Sequence, residues 1–102
     1  MIANAARGEA AWTIGGTAHI LRPSFAALVA AEGDIGPLFA FVERAAEGRA
    51  SLDEIAALFW HCIDDRPPTL THAAVGASLI DGGLMAATPV LRALLMQIMQ
   101  GA

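Results

Sequence analysis

Two short runs in which apolar and polar residues alternate open the chain: Ala10-Ala11-Trp12-Thr13-Ile14 and Thr17-Ala18-His19-Ile20-Leu21. Gly15-Gly16 lies between them. Alternation of period two is the mark of a strand with one buried face, and paired glycines supply the two positive-φ positions that a tight hairpin turn demands. The pattern predicts a β-hairpin over about 9–22. A lone hairpin is unstable in water, so it must lean on whatever follows, and its strand edges offer backbone groups to a second chain.

After Arg22-Pro23 the apolar spacing changes to three and four, the helical period. Ser24 is suited to cap a helix over 25–32, closed by Gly33, with Phe25, Leu28 and Val29 on its buried face. Gly36-Pro37 restarts the chain for a second helix over 37–47, with Pro37 as its first residue and Gly48 as its stop. Leu38, Phe41, Val42 and Ala45 mark its apolar side. Ser51-Leu52-Asp53-Glu54 reads as a capping box, in which Ser51 caps the Glu54 amide and Glu54 reaches back. It starts a helix over 52–64 whose stripe is Leu52, Ile55, Leu58, Phe59 and Cys62, widened by Trp60 and Ile63 enough to touch two neighbours. Thr69 or Thr71 caps a fourth helix over 70–81, ended by Gly82-Gly83. The last helix is expected over 85–100, with Pro89 near its start and Val90, Leu91, Leu94, Leu95, Ile98 and Met99 as its stripe. The expected fold is therefore α+β and mostly α: one domain, an N-terminal β-hairpin packed on four to five helices.

Composition sharpens this picture. Of the 102 residues, 56% are hydrophobic, above the roughly 45–50% of ordinary soluble domains. A chain this small hides about 60–70% of its unfolded surface, so surplus apolar surface points to oligomerisation or a partner site. The six basic residues are all Arg and scattered, and net charge is −4, which disfavours nucleic acid. No run reaches the ~18 apolar residues of a membrane span, and Met1 to Arg7 has no leader pattern, so no membrane role and a cytoplasmic location are expected.

Catalytic chemistry finds no kit. Ser24 and Ser51 have capping work, Ser78 falls mid-helix, and Cys62 sits in an apolar run. Asp64-Asp65 are neighbours in a loop rather than a spaced acid–base pair. His19, His61, Cys62 and His72 show no ligand spacing, so no metal and no cofactor are expected. The residues best suited to meet a partner are Trp60 and the last-helix cluster Leu95, Met96 and Met99, because that helix has more apolar residues than can face one way and Met adapts to varied apolar partners. Trp12 and Ile14, at the hairpin edge, are a second candidate through strand addition.

The order of motifs resembles the small tail-assembly-chaperone-like proteins of tailed phages and gene transfer agents found in alphaproteobacterial genomes. The residues carrying the resemblance are Arg7-Gly8-Glu9, the Gly15-Gly16 turn, Leu21-Arg22-Pro23-Ser24-Phe25-Ala26-Ala27-Leu28 with Glu32, the stretch from Leu38 to Ala45-Ala46-Glu47-Gly48, and Ser51 with Ile55. The resemblance implies a non-enzymatic assembly chaperone that binds the tape-measure protein of a prophage or gene transfer agent and keeps it soluble during tail morphogenesis. The rival that it also implies is a structural tail-tube or minor tail subunit, virion-associated and able to form homo-oligomers. Two further readings are a small enzyme or ligand-binding domain, which would have to gather His19, His61 or His72 with carboxylates in a pocket, and a transcription-related helical module, against which the charge argues.

Overall fold

The computed structural model describes residue 3 and residues 8–101; Arg7, part of the family resemblance, lies outside them. Strands β1 (Ala10–Ile14) and β2 (Thr17–Leu21) form an antiparallel hairpin, followed by helices α1 (Phe25–Ile35), α2 (Leu38–Ala46), α3 (Leu52–Cys62), α4 (His72–Gly82) and α5 (Leu84–Gln100). The expected α+β fold, a hairpin on a bundle of helices, is what the chain adopts.

Gly15 and Gly16 both take positive φ, 57° and 83°, and set the register that pairs Trp12 with His19 and Ala10 with Leu21. Trp12, Ile14, His19 and Leu21 all point inward, so the alternation is the alternation of the hairpin's two faces. The backbone leaving α3 closes part of the sheet edge. Arg22 N–H donates to the Cys62 carbonyl and Asp64 N–H to the Ile20 carbonyl, with Leu21 bridged to Ile63. The helix expected to run to 64 therefore stops at Cys62, because Ile63 is extended and serves β2. The outer edge of β2 is occupied there, whereas among the described residues no backbone bond from another element reaches β1.

The helix boundaries follow their caps. Ser24, Ser51 and Thr71 each accept a backbone N–H three residues on, and Ser51 with Glu54 completes the capping box. Helix α1 runs past Gly33 to Ile35, because the positive-φ glycine that ends it is Gly36 (φ 90°). Pro37, expected inside α2, precedes it in an extended conformation, and the orphan Leu38 N–H is capped instead by the Glu32 carboxylate at 3.0 Å. Arg49 N–H to Arg44 O and Gly48 N–H to Ala45 O then close α2 in a Schellman motif. Helix α5 starts at Leu84 and carries Pro89 in its second turn. The ring deprives the Met85 carbonyl of its helical partner, a loss made cheap by solvent, since Met85 is 90% exposed.

The core joins both strands to all five helices, with Leu21, Phe41, Leu58, Phe59, Val75, Leu79 and Leu94 completely enclosed. Helix α3 packs on α1 at one side and α4 at the other, as its widened stripe predicts. Helix α1 corrects its expected face. Phe25 is 85% exposed and Val29 half so, while Ala31 is enclosed and Ala27, Leu28 and Ile35 lean on the core. Both faces of α1 have apolar residues at helical spacing, so periodicity could not choose between them; the small Ala31 side is the one that lets α1 lie close against α3.

Candidate functional site

One face of α5 is spent on the fold and another is left open. Leu94 is enclosed, and α5 packs against β1 and α4. On the other side Leu91, Leu95 and Met99, at spacings of four, face Val42, Ala45 and Ala46 of α2 across a hollow of about 440 Å³, with Arg92 and Met96 along its rim. A second hollow of about 380 Å³ continues it past Ala45, Thr88 and Leu91 to Ala50, Leu52, Ile55 and Leu84. Together they form an apolar groove beside α5 from Leu84 to Met99, about 22 Å at the helical rise. The α2 wall is low because it is built from Val and Ala, and among the described residues Arg92 is the one charged residue lining either hollow.

Three of the residues expected to meet a partner converge here: Leu95, half-buried, and Met96 and Met99, 49% and 52% exposed. The other three lie elsewhere. Trp12 and Ile14 are buried in the core, Trp12 edge-on to Phe59 at 5.8 Å, so a chain pairing with β1 would meet its backbone and outward residues, not these side chains. Trp60 is half-buried and stacks on His72 at 4.1 Å, with the Arg66 guanidinium 4.0 Å from its ring centre. It does not line the groove. Sequence reasoning missed the exposure of Phe25 and, at the α4–α5 corner, Met85.

A polar cleft at another face has different chemistry. Asp34 lies in the last turn of α1, His61 in the last turn of α3, and His72 begins α4. His61 Nε2–H donates to Asp34 Oδ2 at 2.6 Å, and this bond holds the Asp34 carboxyl below its ordinary pKa. The His72 ring stands 6.0 Å from that of His61. Two of the three histidines weighed for a pocket thus meet with a carboxylate, while His19 is buried apart, beside Pro67, Leu70 and Ala74. The linear spacing could not signal this, since the three residues come from three helices.

Nearby, Arg44 and Glu54 pair at 2.6 Å, and Glu54 also accepts from the Ser51 backbone, which together pull its pKa down to about 2. Cys62 is enclosed, and burial pushes its thiol up to about 12, the wrong direction for a nucleophile. Among the described residues no single helix is long and apolar enough to cross a membrane.

Comparison with known families matches residues 7–101 to the family described as "Phage tail tube protein, GTA-gp10". No curated protein and no solved structure matches the chain. The match covers nearly the whole chain and agrees with the tail resemblance, though its description names a tube protein and not an assembly chaperone. The chain belongs to this phage tail tube protein, GTA-gp10, family, and is thus a protein of phage or gene-transfer-agent tails.

Proposed function

We propose that the chain works without catalysis, by holding another tail protein in the groove between α2 and α5. The observation that carries this reading is the uncovered apolar face of α5, where Leu91, Leu95, Met96 and Met99 stand opposite a low wall of Val42, Ala45 and Ala46. A groove about four helical turns long, with one charged side chain among its described lining residues, suits an apolar or amphipathic helix laid along it. Contact of this kind needs no nucleophile, and it accounts for the surplus of hydrophobic residues.

Two finer roles fit this surface. The family description supports a structural one: a tail-tube or minor tail subunit built into the particle, contacting its neighbours and forming homo-oligomers. The shape of the groove supports an assembly chaperone that shields the tape-measure protein, a long helical chain with apolar stripes, until the tube encloses it. The family description supports the subunit more than the chaperone, and the groove is what supports the chaperone.

Co-expression with the tape-measure-like protein of the same locus, followed by pull-down and sizing, separates them. A subunit assembles into rings or tubes on its own and is recovered in particles. A chaperone stays small, renders the partner soluble and is absent from finished particles. In either case Met96→Asp with Met99→Asp should abolish the contact while leaving the fold intact, since both side chains are half-exposed. Wild-type assembly and wild-type partner recovery by that double variant would exclude the groove.

A further inference from the structure

We propose that Asp34, His61 and His72 form a binding site for a divalent transition metal of the zinc class, independent of the groove and of the role assigned to it. One ligand atom from each of the three lies within 4.8 Å of the other two. Each comes from a different helix: the end of α1, the end of α3 and the start of α4. Bonds of about 2.0–2.1 Å to a tetrahedral ion set its donor atoms roughly 3.4 Å apart. The 2.6 Å contact between His61 and Asp34 therefore has to open by about 0.8 Å, and any separation near the 4.8 Å limit has to close. Asp34 and His72 are exposed and have room to make those adjustments. The metal takes the place of the proton that His61 now shares with Asp34.

The surroundings favour a cation of this kind. Trp60 stacks on the His72 ring and keeps it beside His61, and Arg66 in turn donates to the Trp60 carbonyl at 2.7 Å. Asp53 lines the same cleft, about 320 Å³ in volume, as Asp34 and His72, and adds a second carboxylate next to the site. Two cations stand near the cleft, neither in its lining: Arg66 is set against Trp60, and Arg44 is paired with Glu54, a further carboxylate of that lining. Two imidazoles with one carboxylate select zinc, nickel, copper or cobalt over calcium or magnesium, which prefer all-oxygen cages. Three protein ligands leave a fourth position for water or for a side chain of a bound partner. Occupancy would tie the ends of α1, α3 and α4 to one another.

The test uses full-length protein, free of any polyhistidine tag and stripped with chelator. Zinc titrated by calorimetry should bind one per chain at micromolar levels or tighter, and cobalt should give the visible absorption of a low-coordinate nitrogen–oxygen site. His61→Ala, His72→Ala and Asp34→Ala should each weaken binding at least tenfold, with His19→Ala unchanged. Histidine NMR signals of the unmutated protein provide a readout that does not depend on the variants folding: zinc should shift those of His61 and His72 and leave His19 in place. Absence of one-to-one binding, binding undiminished in His61→Ala and His72→Ala, or zinc shifts at His19 alone would overturn the site.

Discussion

The indole N–H of Trp12 donates to the hydroxyl of Ser78 at 2.8 Å, across 66 residues of sequence and inside the core. Ser78 in turn donates to the Val75 carbonyl one turn back in α4, so both polar groups are satisfied. The bond fixes the hairpin to α4 in one orientation, which packing of apolar surfaces alone would leave adjustable. It also gives Ser78, a serine inside a helix and not at its cap, a structural role.

Ser78→Ala should cost about 1–3 kcal/mol, because it strands the buried indole N–H without an acceptor. Trp12→Phe removes that donor, so the double variant should cost clearly less than the sum of the two single changes. Urea unfolding of the four proteins in a cycle checks this. Additive losses would mean that the bond has no coupling energy.

Gly82 is required by the same tryptophan. A Cβ on it would stand 2.9 Å from Trp12 Cη2, and the ring, buried and hydrogen-bonded, has no room to withdraw. Gly82→Ala should therefore destabilise by about 1–3 kcal/mol despite alanine's better helix propensity. Gly76, also in α4, has open space around it, and Gly76→Ala should stabilise by about 0.5–1 kcal/mol. Opposite shifts in melting temperature for two Gly→Ala changes in one helix are the expected result.

Acid should weaken the start of α3. Glu54 has a folded pKa of about 2 against an ordinary 4.5, lowered first by Arg44 and then by the Ser51 backbone. A depressed carboxylate contributes its stability in full above the unfolded value and loses it as pH falls from 4.5 toward 2. Stability measured against pH should drop across this window, and Glu54→Gln should flatten the drop while lowering stability at neutral pH. Ser51→Ala, which leaves the Glu54 N–H without its cap acceptor, should cost about 1 kcal/mol at neutral pH.

Cys62 should resist thiol reagents in the folded protein. It is enclosed, and its thiol is pushed up to about 12, so almost no thiolate exists at neutral pH. Ellman's reagent should label it only after denaturation, at a rate set by opening of the fold. Prompt labelling of native protein would contradict this burial.

The sequence by itself determined what is decided within a few residues. The Gly15-Gly16 turn, the Ser24 and Ser51 caps and the Gly48 stop each act on their own backbone neighbours, and hairpin and helices appear where those signals put them. Of the site, the sequence showed that the last helix holds more apolar residues than one face can bury, and it named Leu95, Met96 and Met99. Tertiary structure decided which of them stay uncovered. Apolar residues surround α1 and much of α5, so helical period alone allowed several rotations of each, and the neighbours α3, β1 and α4 selected one. It also decided the fate of Trp12 and Ile14, turned inward to the core, and it assembled pairs that no spacing rule can see: Trp12 with Ser78, and Asp34 with His61 and His72. Such contacts depend on how whole helices are placed, and that placement is fixed by a core whose members are scattered through the chain.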